Sequence, residues 1–299
     1  MRTSALDRLR RFSLINGALG LWTALVFVFL FAPIVTAVLY SFNKGVLGRQ
    51  SSDFTAFTTV AYPDAWHNGT LRHSITISLE VALATAVIAT VLGTVSGFVL
   101  GRYRGRFVGG LLEALVYLLL IVPEIVLAVA LLVFYSKLGI NLDLWTLVAA
   151  HTPFTIALVA MIVRSRVVTM DHATEEAAKD LGAGRLHVLW DVTLPQVRPA
   201  VLVGALLAFT FSFDDLVISL FLTTPTVTTL PVYLFGTVQL GVRPDVYAIA
   251  TLMLGFTLVV LGIAGSLYLW QLRREGRSAS LAGVLGGGAE PRTIVAGSA

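Results

Sequence analysis

Six long apolar stretches constrain the fold of this chain more than any other feature. They cover about residues 14–40, 75–100, 108–135, 144–163, 201–222 and 247–270. A helix that crosses a bilayer needs about 20 mostly apolar residues, and each stretch reaches that length. Only 13% of the 299 residues are charged, whereas a soluble domain carries about a quarter. The sequence therefore predicts an all-α membrane protein with six transmembrane helices, and it argues against a soluble enzyme, a disordered protein or a nucleic-acid-binding module.

The basic residues predict how these helices are oriented. Placing the N-terminus in the cytoplasm puts 16 of the 21 Lys and Arg residues on the cytoplasmic side and 5 outside. Such an excess follows the positive-inside rule. The first stretch is longer than the apolar core of a cleavable signal peptide, about 7–15 residues, so we interpret it as a spanning helix. Six crossings then place both termini in the cytoplasm.

These predictions divide the chain into three parts. Residues 1–13 form a cytoplasmic N-terminus, residues 14–270 the six-helix domain and residues 271–299 a flexible cytoplasmic tail rich in Gly, Ala and Ser. The longest polar connection, residues 164–199, has helical patterning. Asp171 or Thr174 can cap a short helix that Gly182 or Gly184 ends, and a second stretch, residues 185–194, is predicted to stop at Pro195.

Several kinds of chemistry are missing from the sequence. Its three lysines, Lys44, Lys137 and Lys179, do not follow the glycine spacing of a phosphate-binding loop, so the chain cannot itself be the usual kind of ATPase. It has no cysteine, and its five histidines lack metal-ligand spacing. We therefore predict no catalytic residue, no metal site and no cofactor of its own.

One motif lies in the polar connection between the fourth and fifth apolar stretches. Glu176, Ala177 and Ala178 are followed by Gly182 and, after nine more residues, by Val192-Thr193-Leu194-Pro195. Composition alone favours a solvated charged loop. The spacing, however, resembles the EAA loop of ABC importer permeases, and it matches at Glu176, Ala177, Ala178, Gly182, Leu194 and Pro195, with Val192 in place of Ile.

This resemblance covers about residues 20–270 and is strongest to the second permease of spermidine/putrescine importers. Further matching stretches are residues 122–126, 212–219, 229–231 and 241–245. Two departures are Glu124, where the family has Asp, and Thr224-Pro225, where it has Gly-Pro.

The resemblance implies the type I ABC importer permease fold in a bacterial inner membrane. It also implies a second permease subunit, a dimer of ATP-binding subunits that hold ATP and Mg²⁺, and an extracytoplasmic solute-binding protein. The six EAA-matching residues would then dock the ATPase.

Acidic residues inside the apolar stretches are candidates for the transport pathway. Each costs about 2.5–3.5 kcal/mol to insert, so their positions need a reason. At 1.5 Å per residue, Asp214 and Asp215 lie about 20 Å from the cytoplasmic start of their helix. Glu124 and Glu80 fall at a similar depth. Such acids, with the aromatic residues Phe211, Phe213 and Tyr233, suit a desolvated cation.

Other readings stay open at this point. Adjacent helical residues point in different directions, so one of Asp214 and Asp215 is expected to face the pathway while the other caps or pairs with a neighbour. Glu124 could instead satisfy backbone groups at a kink beside Pro123. The cargo could be ferric ion, an opine or an aminophosphonate, and a stand-alone carrier or channel is a rival of another class.

Overall fold

The computed structural model of the chain describes residues 5–46, 53–102, 108–171, 173–239 and 244–274. These residues are almost entirely helical, and within them β-structure is limited to two isolated bridges, Asn43–Phe57 and Thr224–Val227. The predicted all-α class is therefore confirmed. Part of the quoted stretch 241–245 and most of the predicted tail, residues 275–299, lie outside the described residues.

The first half of the chain forms five helices. They are α1 (Ala5–Tyr40), α2 (Ala61–His67), α3 (Gly69–Arg102), α4 (Val108–Ile121) and α5 (Glu124–Lys137). The described parts of α1 and α3 are long and apolar enough to cross a membrane. These two helices match the first and second predicted spans, and α2 occupies the aromatic connection between them.

The third predicted span is bent. α4 and α5 meet at an angle of 104° across Val122 and Pro123, inside the predicted span over residues 108–135 and at the position where a kink was an open alternative. Proline lacks the N–H of the helical ladder and disfavours helical backbone in the residue before it. Pro123 accordingly has extended backbone angles, φ −57° and ψ 129°, and α5 begins immediately after it.

The second half contains the remaining helices. They are α6 (Leu144–Val168), α7 (Ala173–Asp180), α8 (Arg185–His187), α9 (Leu194–Asp214), α10 (Val217–Leu222), α11 (Leu230–Gln239) and α12 (Pro244–Arg274). α6, the continuous segment Arg185–Asp214 and Pro244–Ile263 are each long and apolar enough to span a membrane. The described chain thus holds five such helices, or six when the bent pair α4–α5 counts as one crossing.

The predicted helix end at Pro195 is wrong. A π-helical turn, Val188–Thr193, joins α8 to α9, and Pro195 lies in the first turn of α9. The first turn of a helix has no intrahelical acceptor for its N–H groups, so proline is tolerated there. The segment at residues 185–193 therefore continues directly into the membrane helix α9. A displacement of this segment would move the start of α9 with it.

The residues divide into two compact units. One contains residues 1–75 and 230–256, and the other contains residues 76–229 and 257–299. In the first unit, Asn43 is fully buried and organises the connection after α1. Its side chain donates to the Asp53 carbonyl at 3.2 Å and accepts from the Thr55 amide at 2.9 Å.

The second unit is built on a close contact between α3 and α6. Gly93, Gly97 and Gly101 follow one another at four-residue spacing along α3, and each lies against a valine of α6. A Cβ added at Gly97 would come within 2.7 Å of the Val163 Cβ and of the Ala160 carbonyl oxygen. Lipid provides no hydrophobic driving force for helix association, so membrane helices associate through close van der Waals packing. Small residues such as glycine make that close approach possible.

Candidate docking helix and intramembrane acid site

The candidate docking helix, α7, has defined ends. Asp171 accepts a hydrogen bond from the Ala173 amide at 2.9 Å and so satisfies one free donor at the N-terminus. At the other end Gly182 adopts φ +87°, a conformation that side chains disfavour. The Gly182 amide donates to the Lys179 carbonyl at 2.9 Å, and the Ala183 amide donates to the Ala178 carbonyl at 3.0 Å. This pair of bonds is a Schellman motif, which explains the glycine in the EAA spacing.

The EAA residues lie on or near the surface of this segment. Glu176, Ala177 and Gly182 are exposed, whereas Ala178, Leu194 and Pro195 are half-buried. Three large apolar side chains of the same segment are also exposed: Leu181 is 90% exposed, Leu186 73% and Trp190 63%. We call Leu181, Leu186 and Trp190 the exposed apolar patch. Exposed large apolar side chains on a polar segment are candidates for a protein interaction site.

Glu175, the residue before Glu176, belongs to α7, and its side chain is buried. Its carboxylate forms an ion pair with Arg102 at the end of α3 and accepts a hydrogen bond from the Thr193 hydroxyl at 2.6 Å. Sequence reasoning missed this residue and treated it as one more acid of the first turn. The sequence gives little indication of this ion pair, because Arg102 and Glu175 are 73 residues apart.

The intramembrane site centres on a break between α9 and α10. The helix ends at Asp214, and Asp215 has extended backbone angles, φ −67° and ψ 121°. The Asp215 carboxylate accepts a hydrogen bond from the Ser219 amide at 3.0 Å and lies 3.5 Å from the Ile218 amide nitrogen. Asp215 therefore caps α10, because these amides have no partner within the helix.

His151 of α6 completes the buried network around Asp215. Its Nε2 lies 3.2 Å from Asp215 Oδ2 and 3.3 Å from the Ser219 hydroxyl, and its Nδ1 lies 2.8 Å from the Ser212 hydroxyl. All four side chains are buried or nearly so. From the sequence, His151 is interpreted as a hydrogen-bonded packing residue rather than a functional one, and its hydrogen bonds to Ser212 and Ser219 agree with that interpretation. A histidine within an apolar stretch was the available signal, since polar residues in membrane helices usually have a partner.

Glu124 lies at the start of α5, and its side chain approaches that of Asp215. Together they border a small cavity whose other walls are His151, Phe154, Thr155, Phe211, Ser212 and Ile218. The cavity has room for about one water molecule. A single ammonium group is close to that size. Two carboxylates with the neighbouring Phe154 and Phe211 rings, 5.6 Å apart, can supply both charge and aromatic contact.

The other predicted pathway residues occupy different surroundings. Asp214 is exposed and accepts a hydrogen bond from the Thr257 hydroxyl at 3.2 Å. Glu80 is exposed on α3 and does not border the cavity. Phe213 is buried and stacks on Phe209, whereas the Tyr233 hydroxyl, in the first unit, accepts a hydrogen bond from the Asn68 amide group at 2.9 Å. The structure thus brings together Glu124 and Asp215, and leaves Asp214 on the surface.

Comparisons with known proteins give a consistent result. A family model described as "Binding-protein-dependent transport system inner membrane component" matches residues 89–274. The chain is 36% identical over 245 residues to the putrescine transport system permease protein PotI of Escherichia coli K12, covering 80% of this chain and 85% of PotI. It is 37% identical over 245 residues to the spermidine/putrescine transport system permease protein PotC of the same strain, covering 81% and 89%.

Solved structures share the fold. A chain of a bacterial ABC transporter involved in the import of the acidic polysaccharide alginate has a TM-score of 0.64 at 20% identity, covering 89% of this chain and 99% of that one. A chain of the MetNI methionine ABC transporter has a TM-score of 0.58 at 17% identity, covering 69% and 96%. Both comparisons support the type I importer permease architecture.

Proposed function

The chain belongs to the family of binding-protein-dependent transport system inner membrane components, and on that premise we propose that it is a permease subunit of a polyamine importer. It would form half of the translocation pathway beside a second, similar permease. Two ATP-binding subunits that hold ATP and Mg²⁺ would bind its cytoplasmic side, and a solute-binding protein would deliver cargo from outside. The chain itself would carry out no covalent chemistry.

Coupling to a separate ATPase is supported by the docking helix. The observation that carries the proposal is the conjunction of the EAA spacing with an exposed apolar patch, in a sequence that has no phosphate-binding loop. α7 is short and capped at both ends, and after the turn at residues 181–184 the segment Arg185–Asp214 runs without interruption through α9. A partner that closes on ATP and opens after hydrolysis would thereby move a membrane helix.

Placement of both termini in the cytoplasm is supported by the distribution of basic residues. The docking segment then falls on the cytoplasmic side, where an ATPase would meet it. The connection that contains α2 and the one that contains α11 would both face outside, toward the binding protein.

A polyamine cargo is supported by the intramembrane acids and by the names of the relatives. Glu124 and Asp215 border a cavity of ammonium size, and Asp214 presents a further carboxylate at the surface of α9. Removing an ammonium group from water is unfavourable unless anionic or aromatic partners replace the lost hydration. A polyamine repeats that ammonium group along an apolar chain, so it could use the acids in succession.

The test uses the intact complex. The chain is tagged at its C-terminus, purified with its partners from native membranes and reconstituted into proteoliposomes with the solute-binding protein. We expect ATP-dependent uptake of labelled putrescine or spermidine. Uptake of ferric ion, an opine or an aminophosphonate in place of polyamines would overturn the cargo assignment. Gradient-driven transport by the purified chain alone would overturn the ABC mechanism.

A further inference from the structure

Glu175 links the docking helix to two membrane helices at once. Arg102 Nη1 donates to Glu175 Oε2 at 2.8 Å, and Arg102 Nη2 pairs with the other oxygen, Oε1. Thr193 donates to Oε1 as well, at 2.6 Å. Arg102 is the last residue of α3, and Thr193 is the last residue of the π-helical turn before α9. One carboxylate thus connects α7, α3 and α9.

We propose that Glu175 is a positioning residue that transmits the motion of α7 to α3 through Arg102 and to α9 through Thr193. This inference rests on the proposed coupling to an ATPase. It separates two roles that lie next to each other in the sequence: Glu176 faces outward toward the docked partner, and Glu175 faces inward toward the membrane helices.

Burial argues for such a role. The Glu175 side chain is 4% exposed, although its neighbours on α7 are almost all exposed. A carboxylate needed only for solubility would lie in water, because burying a charge is costly unless it is fully paired. A bidentate pair between a guanidinium and a carboxylate also fixes their relative orientation, whereas a single contact allows rotation. The pair therefore holds the direction of α7 as well as its distance from α3.

The first of the two connections from Glu175, the one through Arg102 to α3, continues into tightly packed helices. The guanidinium lies 5.8 Å from the Phe98 ring centroid, one turn earlier on the same helix. Gly97 and Gly101 then pack so tightly on α6 that an added Cβ would come within 2.7 Å and 2.5 Å of valine side chains. Displacement of Arg102 is therefore expected to carry α3 and α6 together, since closely packed interiors transmit strain.

The second connection from Glu175, the one through Thr193, leads along α9 to Asp214. Thr193 is followed without a break by α9, which carries Asp214 at its far end. A second contact runs parallel to the first: the Gln196 side-chain amide donates to the Thr174 hydroxyl at 3.2 Å. A rotation of α7 would thus turn the start of α9, and α9 would pass that rotation to Asp214 and the break beyond it.

The primary test separates coupling from docking. Glu175→Gln keeps the size of the side chain and removes its charge. In the reconstituted complex we expect the amount of bound ATP-binding subunit to stay within about twofold of wild type. Solute transported per ATP hydrolysed should fall about tenfold, within the usual range of coupling between sites. Arg198→Gln, which alters an exposed arginine of α9, is the matched control and should leave that ratio unchanged.

Reversing the charges tests the pair directly. Arg102→Glu and Glu175→Arg should each uncouple transport, and the double variant should recover the ratio to within about threefold of wild type. A double variant no better than the single ones would overturn the inference. If Glu175→Gln fails to reach the membrane, Thr193→Val tests the connection through Thr193 to α9 by the same ratio while leaving the ion pair intact.

Distance measurements provide a readout that stability alone would not change. Because the chain has no cysteine of its own, spin labels can be attached to the isolated chain at Ala173→Cys on α7 and Val95→Cys on α3, before it is assembled with its partners, without labelling any other residue of the chain. We expect one narrow distance distribution with and without a non-hydrolysable ATP analogue, and a broadened one in Glu175→Gln. Equal distributions in both proteins, or a wild-type transport ratio in Glu175→Gln, would contradict the role of Glu175. A wild-type complex without ATP-driven uptake would instead contradict the proposed function.

Discussion

His151 Nε2 lies 3.2 Å from Asp215 Oδ2, in the interior of the helical unit that contains both residues. This contact gives the two adjacent aspartates different roles. Asp215 is held by His151 and by the first amides of α10, so its carboxylate stabilises the break in the chain. Asp214 is left exposed on the last turn of α9. Asp215, which is buried, therefore has the larger structural role. Asp214, which is exposed, is the more accessible to a solute.

Replacing His151 should destabilise the fold. His151→Leu leaves the Asp215 carboxylate buried without its ring partner, and loss of a hydrogen bond to a charged group typically costs about 1.5–3 kcal/mol. Thermal unfolding of the purified protein in detergent measures the change. Thr152→Val is the matched control, because the Thr152 hydroxyl donates to the Val148 carbonyl of its own helix at 2.7 Å, and it should cost less than about 1 kcal/mol. Equal unfolding temperatures for both variants would contradict the role of His151.

The two aspartates should respond differently to amidation. Asp214→Asn is expected to lower polyamine uptake about tenfold, equivalent to ~1.4 kcal/mol in the transport barrier, while leaving the unfolding temperature nearly unchanged. Asp215→Asn is expected to lower the unfolding temperature, because it weakens the cap of α10 and the contact with His151. Uptake and thermal unfolding are measured on the same preparations. The assignment fails if Asp214→Asn transports like wild type.

Gly97 should tolerate no side chain. Gly97→Ala places a methyl group within 2.7 Å of the Val163 Cβ and the Ala160 carbonyl oxygen, and overpacking of this kind typically costs about 1–3 kcal/mol. Gly255→Ala is a suitable comparison, since a Cβ there meets nothing within 4 Å. Denaturation of the two variants in the same detergent checks the difference. A Gly97→Ala protein as stable as Gly255→Ala would show that α3 and α6 pack less closely.

Gly182 should be required for docking. At φ +87° a side chain strains the backbone by about 1–2 kcal/mol, so Gly182→Val is expected to disrupt the end of α7 and reduce co-purification of the ATP-binding subunit. Gly184→Ala provides the control, because Gly184 has an ordinary φ of −68°. Normal docking together with normal uptake in Gly182→Val would remove α7 from the coupling pathway.

Sequence patterns predicted the framework of this protein. Length and hydropathy located the spans, because a helix of about 20 apolar residues satisfies its own backbone hydrogen bonds and needs no information from distant residues. Gly182 was predicted to end α7 for a similarly local reason. Pro123 was seen beside a possible kink, but the size of the bend was not predicted. Proline weakens a helix locally, whereas packing of α5 against other helices sets the angle.

Tertiary structure alone decided which acids are buried and with what they pair. Asp214 and Asp215 look alike in the sequence, as do Glu175 and Glu176, yet in each pair one carboxylate is enclosed and the other exposed. Their partners come from other helices: Arg102 is 73 residues from Glu175, and His151 belongs to a helix well before Asp215. A charge is stabilised by the groups that surround it in space, so neither local propensity nor hydropathy can assign its partner.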